Sequence, residues 1–379
     1  MKVLHILYKL MSSGAEKMLA DAADIFRDKG VEGWILANDD EEGEYAPVLR
    51  EEGYRIVRIP WRGNRSHLIE FWKLCRREKF DTVHIHVIRG YTSFTVAAKL
   101  AGVKTVVKTF HGIFAARDPL RWIVHSGKRL VARMFGAKMV AISRSVQENE
   151  YKTFRNKCEL VWNFANEADF PLADADVGKR IRKELGIGED SFVLLTVGNC
   201  HSESHYNVKN HSLVIKALTL LPETIKREVV YVHVGKEMDA MPERRLAEEL
   251  GVAPNAIFLG PRRDVFNLLC VANVYVMSSL HEGLGISTIE AAFTGREMIL
   301  TNVQGLRDFG GVIRQGVTYC DLAPECMAKA IQDKMSSMQF SQMSTSALSG
   351  IAEIREDALK TFSMQVGVAS LMRLYGCQE

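Results

Sequence analysis

The chain lacks the features that would place it in several large classes. No apolar run approaches the roughly 18 residues that cross a bilayer. The amino-terminal stretch is broken by Lys9 and carries no small-residue cleavage site, so it reads as a first strand rather than a signal peptide. No G-x-G-x-x-G follows a strand-like run, which removes the usual nicotinamide fingerprint. The seven cysteines (75, 158, 200, 270, 320, 326 and 377) are odd in number and form no C-x-x-C pair. That argues for a reducing compartment and against a disulfide or zinc framework, so the expected location is cytoplasmic. No repeat of solenoid length recurs. What remains is ordinary globular composition, 47% apolar and 25% charged, over 379 residues, enough for two or three domains.

Charge is unevenly spread. Residues 1–165 hold 28 Lys and Arg against 19 Asp and Glu, whereas the remainder holds 21 against 27. Residues 89–157 carry 14 basic side chains and three acidic ones, Asp118, Glu148 and Glu150. An imbalance this local points to a polyanionic partner, either nucleic acid or the anionic face of a membrane.

Short β-branched runs alternate with helix-period stretches along the whole chain, the pattern of parallel α/β sheets. Strands are predicted at 2–8, 34–38, 55–60, 82–87, 105–111, 138–143 and 158–163, with one helix over 13–29. After a polar linker over 164–190, with a short helix around 177–185, the alternation restarts. Strands follow at 192–198, 229–235, 256–260, 274–279, 298–303 and 317–321, with helices at 210–221, 242–251, 264–272 and 286–294. The last forty residues read as helical throughout. The expected architecture is α/β, two Rossmann-like doubly wound domains facing across a cleft, with ligands at the carboxyl ends of the strands. The expected boundaries are 1–165, 166–355 and a helical segment 356–379 that crosses back to the first domain.

The sharpest chemical signal is His281-Glu-Gly-Leu-Gly-Ile-Ser-Thr-Ile-Glu-Ala-Ala-Phe-Thr-Gly295. It follows a buried-type strand and opens a helix. Gly283 and Gly285 admit close backbone approach, and the helix N-terminus favours negative charge. Glu282 sits where it can accept hydrogen bonds from sugar hydroxyls. Glu290, among Ile289, Ala291 and Ala292, needs a polar partner to offset desolvation, and a ribose diol would serve.

These residues resemble the hallmark of the retaining nucleotide-sugar glycosyltransferases of family 4, which have the GT-B fold: two glutamates separated by seven residues, here Glu282 and Glu290. The resemblance extends along nearly the whole chain. Met11-Ser-Ser-Gly-Ala-Glu-Lys17 is similar to the family's first loop, Thr109-Phe-His-Gly112 to its T-x-H-G element, Ala141-Ile-Ser-Arg144 to its strand ending in a-x-S, Val161-Trp-Asn163 to its p-N-G segment, and Val208-Lys-Asn-His211 to its lysine motif. The resemblance implies a sugar transfer with retention from a UDP- or GDP-sugar donor. Glu290 would bind the donor ribose, Glu282 the donor sugar, and Lys209 the diphosphate. His111 would face the sugar from the first domain. Gly14, Gly283, Leu284, Gly285 and Ile286 would bring backbone to the donor. Lys209, Glu282 and His111 are the expected catalytic residues, with no metal and no cofactor. A glycan acceptor on a polyprenyl diphosphate carrier is implied, in cell-surface polysaccharide assembly.

The chain departs from that pattern after the strand glycine, where the family has an arginine. Here Asn199-Cys200 opens a lengthened loop through Tyr206, with His201, His205 or Arg263 as substitutes. Phe164 replaces the glycine after Asn163. Asp174-Ala-Asp176 has the spacing of a metal-binding pair but lies in the linker, where solvated turn residues are expected. His84 and His86 alternate on one strand, and one of them is expected to serve packing.

The segment 119–135 mixes Leu120, Trp122, Ile123, Leu130, Val131, Met134 and Phe135 with Arg121, Lys128, Arg129 and Arg133. It reads as a basic amphipathic helix, able to lie in a membrane interface. The simpler expectation packs its apolar face on the sheet and leaves the basic residues outside. A peripheral position at the inner face of the plasma membrane fits the basic surface, and nucleic acid would leave the glutamate pair without a purpose. Competing readings are a catalytically weak nucleotide-sugar-binding relative and a GT-B epimerase or phosphorylase.

Overall fold

The computed structural model describes the chain except residues 12, 62–64, 116–117, 201–207, 238–240, 342–345 and 378–379. His201 and His205 therefore lie outside the described residues. The chain divides into two units, Met1–Asn166 with Phe362–Glu379, and Glu167–Thr361.

The first unit is a seven-stranded, all-parallel sheet: β1 (Lys2–Leu7), β2 (Glu32–Ala37), β3 (Arg55–Arg58), β4 (Thr82–Ile85), β5 (Thr105–Phe110), β6 (Ala137–Ala141) and β7 (Glu159–Leu160), in the order β3-β2-β1-β4-β5-β6-β7. Central strands buried on both faces explain why these segments are near-continuous apolar runs rather than alternating ones. Helices cover each face, and Phe71, Phe94 and Ala98 close one side while Leu19, Phe26 and Leu49 close the other. The single helix expected over 13–29 is two, Gly14–Asp21 and Ala23–Asp28, divided at Ala22 where ψ is −2°.

The second unit repeats the design with six parallel strands: β8 (Phe192–Val197), β9 (Val229–Val234), β10 (Ala256–Phe258), β11 (Val274–Met277), β12 (Glu297–Thr301) and β13 (Val317–Cys320), in the order β10-β9-β8-β11-β12-β13. Asp174 caps the linker helix Ala175–Glu184 by accepting from the amides of Asp176 and Val177.

The carboxyl-terminal segment belongs to the first unit from Phe362 onward, six residues later than the boundary expected at 356. Helicity is interrupted at Ser363, which pairs with Ala165 as an isolated parallel bridge. The helix Met364–Tyr375 then buries Met364, Val368, Leu371, Leu374 and Tyr375 in the first unit's core. Phe164 is part of that docking. A Cβ at Gly367 would stand 1.9 Å from the Phe164 ring, so the helix approaches that closely only because residue 367 is glycine.

The helix Pro119–Met134 corrects one expectation. Its apolar side chains are not packed on the sheet: within the helix only Arg129 and Ala132 are buried, and Leu120, Ile123, Leu130 and Met134 are 59–75% exposed. The inward-facing position is taken instead by Arg129, whose guanidinium makes a double 2.6 Å bond to the buried Glu150 carboxylate. Arg129 is thus a structural cation, while Arg121, Lys128 and Arg133 remain exposed beside the apolar residues. No helix among the described residues is long and apolar enough to cross a membrane.

Candidate active site

In a doubly wound sheet the crevice opens where neighbouring strands send their connections to opposite faces. In the second unit that point lies between β8 and β11, and the segments leaving their carboxyl ends contain Gly198, Lys209 and Glu282–Gly285. The two segments are joined: the Leu280 amide donates to the Val208 carbonyl at 2.7 Å, and the Ser278 hydroxyl donates to the Lys209 carbonyl at 2.9 Å.

Lys209 and Glu282 meet there. The ammonium is 2.5 Å from Glu282 Oε1, which also accepts from the Ser279 hydroxyl at 3.0 Å. The lysine stem lies across Gly198, whose Cβ, if it had one, would be 3.5 Å from three of its carbons. Both charged groups keep some exposure, 25% and 12% of their side chains. The cation is therefore held in place but open to an incoming anion. Gly305 makes room for the loop: at φ +85°, a Cβ there would stand 2.2 Å from the Glu282 carbonyl oxygen.

Gly285, at φ +90°, begins the turn into the helix Ile286–Phe293. Its first amides and those of Gly283 and Leu284 form the backbone edge of the site. Leu284 is buried, so it can serve a ligand only through its main chain. Glu290 is 4% exposed on the same helix. Its charge and that of Glu282 reach the Tyr275 hydroxyl, whose pKa is raised chiefly by burial and lowered in part by its bond to Ser287. Tyr275 donates to Ser287 Oγ at 2.8 Å, and Ser287 donates to the Val197 carbonyl at 3.3 Å. Tyr275 and Ser287 thus tie the helix to β8, a role not singled out from the sequence; a tyrosine inside a Val274–Met277 strand was the available signal.

The remaining expected residues lie elsewhere. Arg263 is exposed after β10, the edge strand of the sheet. Neighbouring Arg262, in contrast, is paired with Asp264 through two 2.7 Å bonds. Gly14 is exposed at the start of the helix Gly14–Asp21, and Ser13 bonds Glu16 one turn on.

His111 follows β5 directly in the first unit, within a row of histidines. Its Nε2 is 3.0 Å from His86 Nδ1, and His86 Nε2 is 3.2 Å from His5 Nδ1. His84 bonds the Tyr375 hydroxyl and Thr109 Oγ1, each at 2.7 Å. Burial, helped by the nearby Lys108, lowers the His111 pKa to about 3, so the imidazole is neutral. Burial likewise lowers Lys108 to about 7. His86 is more than a packing residue: it hydrogen-bonds His111 directly, while His84 stacks on His86 and bonds Thr109 and Tyr375.

Two family models match the chain, one described as glycosyl transferases group 1 over residues 191–338 and one as a glycosyl transferase 4-like domain over residues 13–151. The putative glycosyltransferase EpsD of Bacillus subtilis is 33% identical over 300 residues, 77% of this chain and 76% of that one. The chain belongs to the group 1 glycosyl transferases. A further relative, the UDP-Gal:alpha-D-GlcNAc-diphosphoundecaprenol alpha-1,3-galactosyltransferase of Escherichia coli, is 28% identical over 246 residues, 63% of this chain and 62% of its own length. The fold agrees with family membership. Anabaena HepE in complex with UDP-glucose superposes with a TM-score of 0.79 at 17% identity, covering 100% of both chains. The two Rossmann-like units are accordingly those of a GT-B glycosyltransferase, as the glutamate pair and the lysine motif implied.

Proposed function

We propose that the chain transfers a hexose, with retention, from a UDP-sugar to a hydroxyl of a glycan carried on a polyprenyl diphosphate, during cell-surface polysaccharide assembly. The observation that supports it best is the partly exposed Lys209 ammonium held by Glu282 beside the N-terminus of Ile286–Phe293, with Glu290 buried about one turn along that helix. A diphosphate suits this arrangement: the helix amides and one fixed cation both favour the extra negative charge that develops on its terminal oxygen as the sugar departs. The names of the Escherichia coli and Anabaena proteins favour uridine as the base and a lipid diphosphate as the carrier.

In this reading the bond from the anomeric carbon to the diphosphate oxygen loosens first. Lys209 and the amides of Gly283–Gly285 hold the leaving group, Glu290 the ribose diol, and Glu282 the sugar hydroxyls while it orients Lys209. The acceptor oxygen then bonds to the same face of the anomeric carbon. Glu282 is engaged with Lys209 and Ser279, so it is not assigned as a double-displacement nucleophile. His111 contributes a neutral imidazole for the donor sugar, and Gly14 and Arg263 are assigned to the donor phosphates. The charge work falls to Lys209 rather than to a divalent ion.

The acceptor would be reached at a lipid surface. The exposed Leu120, Trp122, Ile123, Leu130 and Met134, bordered by Arg121, Lys128 and Arg133, match an anionic membrane interface in both apolarity and charge. A panel of UDP- and GDP-sugars with a synthetic lipid-diphosphate glycan, read as nucleotide release and anomeric configuration of the product, tests the reading. Donor binding without turnover would favour a sugar-binding relative, and an inverted product would remove the retaining step.

A further inference from the structure

Cys200, His211 and His233 converge inside the second unit although they come from three separate elements: the segment after β8, the residue before the helix Ser212–Thr219, and β9. All three are buried, and one ligand atom from each lies within 4.8 Å of the other two. Cys200 Sγ is 3.5 Å from His233 Nε2. That is about the edge of a tetrahedron built on Zn–S and Zn–N bonds of about 2.3 and 2.0 Å.

A second observation points to a ligand. Among the described residues neither ring nitrogen of His211 makes a well-aligned hydrogen bond, nor does His233 Nδ1. His211 is 1% exposed. The backbone of Gly198 and Asn199 lies against the His211 ring, and the Glu243 carboxylate lies beside the Cys200 thiol. Buried polar groups without well-made partners are costly. The first unit supplies the contrast. His5, His84 and His86 also cluster closely, but their contacts are hydrogen bonds to one another, to Tyr375 and to Thr109, so that cluster is already satisfied.

We propose that Cys200, His211 and His233 bind a Zn²⁺ ion, with solvent in the fourth position. One thiolate and two imidazoles form a donor set suited to zinc. On binding, the metal replaces the Cys200 thiol proton, which leaves to solvent. If His233 coordinates through Nε2, it exchanges its 2.9 Å contact with the Gly198 carbonyl for the metal. The consequence is positional. Zinc would pin the segment after β8 to β9 and to the helix Ser212–Thr219, beside the glycine on which the Lys209 stem rests. This is the stretch in which the family's arginine is missing. The site is separate from the donor chemistry and stands or falls without it.

The test uses the full chain, stripped with a chelator and returned to one equivalent of Zn²⁺ or Co²⁺. The expected result is one metal retained per chain, a raised Tm, and for cobalt a thiolate-to-metal charge-transfer band with the strong visible absorption of a tetrahedral site. Cys200→Ser and His211→Gln should abolish the band, whereas Cys326→Ser/Cys377→Ser should keep it. No retained metal and no cobalt band would overturn the proposal. So would a band that persists in Cys200→Ser. If the Cys200 variant does not fold, the cobalt spectrum of the unmutated chain decides alone, since a tetrahedral site lacking a thiolate band excludes Cys200 as a ligand.

Discussion

Lys209 shows how one side chain is held in place by its supports. Its stem rests on Gly198, its carbonyl accepts from Ser278, and its ammonium is directed by Glu282. Lys209→Ala should therefore lower kcat by about 100- to 1000-fold, the cost of losing one charged transition-state contact. The Tm should stay near its original value because the lysine head is partly exposed; steady-state kinetics beside a melting curve checks both. Glu290→Ala should act mainly on the donor KM if the ribose is its ligand, and an unchanged KM would remove that role. The histidine row gives a pH prediction. His5 and His111 have folded pKa values lowered to about 3 from 6.5, chiefly by burial. The unfolded chain binds these protons more readily, so this stability is complete above pH 6.5 and is lost as pH falls toward 3. Urea midpoints measured between pH 7 and 4 should fall, with amides of β1, β4 and β5 losing exchange protection; a flat profile would contradict the assignment.

At the scale of elements, the two sheets were legible because strands buried on both faces are uninterrupted aliphatic runs, and each of the thirteen predicted strands lies within two residues of its observed start. The glutamate motif was legible for a similar reason, since strand, glycines and helix are consecutive. Contacts between distant segments were not. Nothing in the local pattern of 119–135 says that Arg129, rather than a leucine, turns inward to Glu150, because Glu150 lies a helix away. The cysteine spacing likewise argued against zinc, yet the fold brings Cys200 to His211 and His233 from different elements. The exposed helix face makes its own prediction. Replacing Trp122, Leu130 and Met134 together with serine should leave the Tm close to that of the parent. It should also abolish flotation with phosphatidylglycerol vesicles at low salt. Retained flotation would show that another surface binds lipid.

At the scale of the molecule, the chain enters its second unit at Glu167 and leaves it at Thr361 to complete the first. Helical periodicity marked the terminal segment as helical. The residues that anchor it, Phe164 and Gly367, carry no signal until they are seen together. Gly367→Ala should destabilise the first unit by about 1–3 kcal/mol, the cost of forcing a methyl into a filled site, and differential scanning calorimetry of the whole chain should show that loss. An unchanged transition would mean the terminal helix docks less tightly than Phe164 implies.

That returning segment also fixes an order of events on the ribosome. The amino-terminal half emerges first, yet six of its core residues between Met364 and Tyr375 are synthesised after the entire second unit. A nascent amino-terminal half must wait with a hydrophobic seam uncovered, whereas the second unit can finish folding as soon as Thr361 is free. The late-made unit is thus the one equipped to mature early.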